Sequence, residues 1–184
     1  MKNGRLNARN IAYYGIAGTL AIVLSMLESV LVPYIPGLPP GAKPGLSNVV
    51  VMLLAATGQT AGLLFPVLMK SIFVLLTRGM SAFLMSLSGG ILSAAAMILM
   101  HRAKLKSIGE AGIGIVSACM HNAGQLLVSF FYTGTAALIW YLPVLLLFGA
   151  AAGLATGIFT AVLLPHARRL AVLFRKESGS SFTT

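Results

Sequence analysis

The chain has 184 residues, 58% hydrophobic and only 9% charged, with a mean hydropathy of +0.93. A water-facing domain needs a charged surface that this composition does not supply, so an integral membrane protein is indicated. The formal charge of +10 is parcelled out between apolar runs rather than pooled in one patch, which argues against nucleic acid as a partner.

Lys2, Arg5 and Arg9 fall in a basic segment, residues 1–10, ahead of the first apolar run. That run, residues 11–32, exceeds the roughly 20 residues that cross a bilayer and is too long for a cleaved signal. Tyr13 and Tyr14 are expected at the inner interface, where amphipathic rings favour the headgroup level. Ala8, Ala12, Ala17 and Ala21, with Gly18 beside them, give this helix small residues against which another helix can pack closely. The other helix could belong to this chain or to a separate membrane coupling subunit.

Five of the eight prolines, Pro33, Pro36, Pro39, Pro40 and Pro44, crowd into the next stretch, together with Lys43 and three glycines. Prolines at this density leave few donors for a helix and favour extended or turn backbone. Residues 33–45 therefore read as a stiff external loop, either a plain connector or a lid over a pocket. A short second helix is expected at 46–57, either tilted or only partly spanning, then a tight turn at Gly58-Gln59. The third helix is expected at 61–76 with a kink at Pro66, and the fourth at 81–100 after Arg78-Gly79. Gly89-Gly90 in mid-helix costs helix propensity, so either a neighbour comes very close there or the backbone lines a cavity.

The basic segment His101–Lys106 separates the fourth helix from a fifth at 111–132, and a sixth is expected at 139–164. Gly149, Gly153 and Gly157 leave one face of the sixth helix bare for close crossing. Phe130, Phe131, Tyr132, Trp140 and Tyr141 read as an interfacial aromatic belt. The tail, residues 166–184, carries Arg168, Arg169, Arg175 and Lys176. Six crossings place both termini and the three basic segments in the cytoplasm, where they can meet anionic lipid. The expected fold class is thus an all-α integral membrane six-transmembrane-helix bundle, with one membrane domain at 11–165.

Polar side chains inside the apolar runs are the candidates for function. Lys70 lies in the third helix about 12 Å below Arg78 at the usual helical rise, and a lysine there costs at least ~2.5 kcal/mol to insert without a partner or water. Glu28 is the only acid in an expected span and could pair with Lys70 or Lys43. With Lys43, Lys70 and Arg78 set against one carboxylate, the outer region is expected to favour an anionic ligand. His121, Asn122 and Gln125 gather three strong hydrogen-bonding side chains within five residues, with 121 and 125 on one helix face. Asn48, which closes the proline-rich stretch, joins this candidate substrate-binding set. Ser81, Ser86 and Ser88 could extend the polar lining or bond their own helix.

Other chemistry has little to work with. Cys119 stands alone, so neither an internal disulfide nor a paired-thiolate metal site can form. The chain contains no aspartate and no GxxxxGK loop, the usual means of holding magnesium and nucleotide phosphates. No catalytic residue, metal or cofactor is expected, and a stand-alone enzyme is not.

At Gly41-Ala-Lys-Pro-Gly-Leu-Ser-Asn48, Ser86-Leu-Ser-Gly-Gly90, His121-Asn-Ala-Gly-Gln-Leu126 and Tyr141-Leu-Pro143, the chain resembles the Gx transporter family, also labelled heptaprenyl diphosphate synthase component I. The resemblance runs over about residues 10–165; Pro44 departs from it, where a larger apolar residue is expected. The family is similar to the S components of energy-coupling factor transporters in bacterial cytoplasmic membranes. That implies six helices, an outward pocket capped by the loop between helices 1 and 2, and small residues on helix 1 that meet a coupling subunit driven by separate ATPases. It also implies a vitamin-like or redox-related small-molecule ligand, such as a flavin or quinone precursor. A non-catalytic accessory of a prenyl diphosphate synthase and a membrane subunit of an electron-transfer assembly stand as alternatives.

Overall fold

The computed structural model of the protein describes residues 8–34, 45–103 and 108–179, and among these every regular element is helical. The elements are α1 (Ala8–Leu31), α2 (Leu46–Ala56), α3 (Leu64–Arg78), α4 (Met80–Arg102), α5 (Gly109–Thr133) and α6 (Leu142–Gly179), with short 3-10 turns after α1 and before α3 and α6. Four helical stretches, Ile11–Leu31, Met80–Arg102, Gly109–Thr133 and Ala136–Val172, are long and apolar enough to cross a membrane. The protein is therefore an all-helical protein with the marks of a multi-pass membrane bundle.

Successive helices alternate in direction. Glu28 on α1 meets Leu46 at the start of α2, and Tyr14 meets Gln59 just past its end. Arg78 at the end of α3 bonds Ser29, while Gly18 packs on Met69 and Phe65 lower down. Gly89 of α4 faces Gly124 of α5, and Gly153 of α6 faces Gly114 of α5. Contacts run α1–α3–α4–α5–α6–α2 and back to α1, closing a ring.

The short helix α2 is the inner element of this ring. Its sequence, LSNVVVMLLAA, is apolar around its whole circumference after the first turn, the pattern of a helix buried on all sides. Ser47 to Met52, Leu54 and Ala55 are all buried, and Met52 is fully so. With eleven residues it rises only about 16 Å. Gly45, at φ 79°, supplies the left-handed turn that starts it.

Three expectations change. Pro66 does not kink a helix, because it is the third residue of α3, where an N–H has no intrahelical acceptor to lose. Helix α6 runs on past Pro165 to Gly179, since the residues following the proline (Ala, Arg, Arg, Leu and Ala among them) are good helix formers. Its 38 residues span about 57 Å, nearly twice a bilayer core. Tyr14 turns into the bundle rather than out towards lipid headgroups: it is buried, donates to Gln59 Oε1 at 3.0 Å, and its ring fills the space over Gly62.

Glycine sets how closely the last helices approach. A Cβ at Gly153 would lie 2.4 Å from the Gly114 carbonyl oxygen, and one at Gly157 would lie 2.6 Å from that of Glu110. The four-residue glycine spacing on α6 is thus a packing surface against α5. Gly153→Val should push the two backbones apart and lower the thermal unfolding midpoint, by ~1–3 kcal/mol of stability for an overpacked site. Gly15→Ala, where nothing lies within 4 Å, should instead gain up to ~1 kcal/mol of helix propensity. Unfolding of the two variants in the same detergent checks the contrast.

Candidate binding cavity

Two charged side chains in the bundle interior meet through one serine. Glu28 is only 2% exposed; its Oε1 accepts the Leu46 backbone N–H, and its Oε2 accepts the Ser47 hydroxyl at 3.4 Å. Lys70 Nζ donates to the same Ser47 oxygen at 3.2 Å. A serine hydroxyl can accept from the ammonium while donating to the carboxylate, so the two buried charges are linked across α1, α2 and α3. The carboxylate also takes up one of the N–H groups that a helix start leaves unsatisfied, where negative charge is favoured.

The helix α5 cluster lies on the other side of the same space. Gln125 Nε2 is 3.1 Å from His121 Nε2, one helical turn away. Their approach to α4 depends on Gly89, whose missing side chain would fall 2.7 Å from the His121 carbonyl oxygen and 3.0 Å from Gln125 Cγ. Gly90 faces the other way, against Val67 of α3. Asn122 is buried and donates from Nδ2 to the Leu145 carbonyl at 2.8 Å. A Cβ at Gly149 would sit 2.4 Å from that nitrogen, so the glycine makes room for the bond.

Between these groups is an enclosed polar cavity of about 30 Å³ to which all six helices contribute. It has room for one or two water molecules. Of the expected site residues, Glu28, Asn48, Lys70, His121, Asn122 and Gln125 line it. Arg78 does not: it is exposed at the end of α3 and donates to Ser29 Oγ. Lys43 lies outside the described residues. The expected excess of cations is therefore not assembled by the described lining, which sets one ammonium against one carboxylate.

Several lining residues escaped the sequence reading: Ser25, Ser47, Ser117 and Thr156. Ser117 had a legible signal, since it lies one turn before His121 on the face shared with Gln125. Ser25 likewise lies one turn before Glu28. Ser47 had only its neighbour Asn48 to point to it, and Thr156 had no signal, because its helix is apolar around it.

The small residues of α1 divide between two faces. Ala17 and Ala21 are buried inside the bundle, and Gly18 packs on Met69, so these positions serve internal packing. Ala12 faces outward, in an apolar groove of about 550 Å³ shared with Gly15, Ile16, Thr19, Leu20 and Val23. Ala8 opens the helix.

An apolar helical ring closed around a small, densely hydrogen-bonded cavity defines a membrane protein built around a buried polar site. Residues 18–163 match the family described as heptaprenyl diphosphate synthase component I, and the chain belongs to that family. No curated protein and no solved structure matches it.

Glu28→Gln should destabilise the bundle strongly, because it removes the carboxylate that offsets the buried Lys70; breaking a buried charge linkage from one side costs ~3–5 kcal/mol. Adding Lys70→Met should recover much of that loss. A double-mutant cycle of unfolding in detergent checks this, and simple additivity of the two substitutions is the result that contradicts the linkage.

Proposed function

We propose that this chain is the substrate-binding membrane subunit of a small-molecule transporter, similar to the S components of energy-coupling factor systems. The observation that carries the reading is the enclosed polar cavity, to which every helix of the bundle contributes. Buried ionisable side chains are costly in a membrane protein, and where they surround a cavity they mark a substrate or ion pathway. In this reading the proline-rich segment between α1 and α2, of which residues 35–44 lie outside the described residues, serves as a lid over the site. The outward groove of α1, with Ala12 and Gly15, is the face left for a transmembrane coupling subunit served by ATPases. In this reading the chain itself catalyses no reaction.

The reading includes six passes through the bacterial cytoplasmic membrane, two of them by the short helices α2 and α3, with both termini in the cytoplasm. The charge distribution supports this, as Arg102, Arg168 and Arg169 all stand at the end of the bundle opposite Trp140. In a Cys119→Ser background, Trp140→Cys should react with a membrane-impermeant maleimide on intact cells. Arg102→Cys should react only after permeabilisation, and equal labelling of the two in intact cells contradicts the topology.

For binding itself, purified protein in nanodiscs should retain a small molecule identifiable by mass spectrometry after gentle extraction. His121→Ala and Lys70→Met should each lower its retention at least about tenfold, a loss of ~1.4 kcal/mol or more. No retained compound, or retention indifferent to both substitutions, counts against a binding subunit. The family's description favours a second reading, a non-catalytic membrane partner of a prenyl diphosphate synthase. In that case prenyl-chain synthesis in a reconstituted extract falls when this protein is withdrawn.

A further inference from the structure

The wall of the cavity also bears on what kind of molecule enters it, and the following inference rests on the binding reading just given. Charge comes first. Glu28 and Lys70 are the acid and base of the described lining, and both bond Ser47. An anion entering beside them gains from Lys70 and loses to Glu28, so a net charge of either sign has little to hold it. Arg78, a cation that would tip the balance, is engaged by Ser29 outside the lining.

Apolar surface comes second. Among the described lining residues no aromatic ring and no leucine, isoleucine, methionine or phenylalanine occurs, apart from the imidazole of His121; Val74 is the largest aliphatic side chain. Sites for ring systems and alkyl chains are lined mainly by hydrophobic and aromatic side chains and enclose about 300–1,000 Å³. This one encloses about 30 Å³. A flavin, a quinone or a prenyl chain would find few stacking partners and only small apolar groups, Val74, Ala118 and Ala152, in the wall; the helices have to part for any molecule larger than water, and by least for a compact one.

The remaining wall is made of hydroxyls and carboxamides, from Ser25, Ser86, Ser117, Asn122, Gln125 and Thr156. Some of their donors are spent inside the bundle, since Ser117 and Thr156 donate to the Gly114 and Gly153 carbonyls of their own helices and Asn122 to that of Leu145; their oxygens and the remaining N–H and O–H groups are what they offer a ligand. In a low-dielectric setting they are costly when unmatched and discriminate sharply for a partner that matches them. We infer that the cavity takes a small, net-neutral, hydrogen-bond-rich molecule without an aromatic ring or alkyl chain, of the polyol, amide or zwitterion class.

The test works on a mixture, so the compound need not be identified in advance. A low-molecular-weight extract of culture medium is passed at pH 7 over a reversed-phase C18 column, then over a buffered mixed bed of anion and cation exchangers. The C18 eluate, the ion-exchange eluate and the material that passes both are each added to the full-length protein in nanodiscs. Because a ligand of the folded state stabilises it by mass action, the unfolding midpoint reports binding. The fraction that passes both columns should raise the midpoint by about 3 °C or more, a shift worth roughly 1 kcal/mol at this chain length. The rise should vanish in Gln125→Ala and in the milder Ser117→Ala, which keeps the protein measurable if the first variant folds poorly. A rise that depends on those residues but comes from either eluate overturns the ligand class and leaves the binding reading standing. A rise from the unretained fraction that survives both substitutions puts the ligand elsewhere and overturns the inference. No rise from any fraction removes the binding reading as well.

Discussion

The architecture depends on how two buried charges are kept satisfied. Lys70 and Glu28 each sit on a helix that is otherwise largely apolar on its buried side, and a lone charge there costs several kcal/mol after all relaxation. Ser47 resolves the problem because it is the second residue of α2 and its hydroxyl meets both. The Leu46 N–H adds a second bond to the carboxylate. The solution works only if the start of α2 lies between α1 and α3, so the charge linkage and the inward placement of α2 are one constraint. A helix of eleven residues can occupy that place because it runs only from the Glu28 contact at its start to the Tyr14–Gln59 contact just past its end.

Glycine sets the second constraint, the distance between helices around the site. At Gly114, Gly153 and Gly157 the backbones of α5 and α6 touch. Farther along the same pair, Gly149 gives up its side chain so that Asn122 can bond the Leu145 carbonyl. On the opposite flank, Gly89 lets α4 approach at His121 and Gln125. The polar groups of α5 are thus held by close backbone contact on both sides. Small residues in membrane helices serve association generally; in this bundle they also fix where the carboxamides point.

Much of this was legible in the sequence and part was not, for identifiable reasons. The apolar runs located the helices to within a few residues, apart from the end of α6, because length and hydropathy are direct consequences of crossing lipid. The glycine triplet of α6 and the pair Gly89-Gly90 announced close packing, since nothing else offsets their cost in a helix. His121, Asn122, Gln125, Lys70 and Glu28 stood out for the same reason, as polar groups where burial is expensive. Arg78 is different. Eight residues from Lys70 along α3 says little about a shared destination, and the outer end of α1 offers it Ser29 instead. The small residues of α1 were legible as a class but not by face, because Ala17 and Ala21 turn inward while Ala12 turns outward. Thr156 could not have been found at all, and Ser47 only through its neighbour Asn48. A lone hydroxyl in an apolar helix usually bonds its own backbone, as Thr156 does to Gly153, and only the neighbours show that it also lines a cavity.

The same contrast explains why, among the described residues, a basic chain lines its cavity with one ammonium and one carboxylate. Most of its cations flank the apolar runs, where water and lipid headgroups solvate them cheaply. A charge count over the chain therefore describes its orientation in the membrane, while the electrostatics of the interior are set by the few groups that could not be left at the surface. Lys70 is one of these, and its burial requires compensation within hydrogen-bonding reach. Glu28 supplies that compensation through Ser47, so the force that makes the lysine tolerable is also the force that cancels its field in the cavity. What the described lining adds to this pair is hydroxyls, carboxamides and one imidazole, groups whose bonds are directional where the field of a paired charge is not.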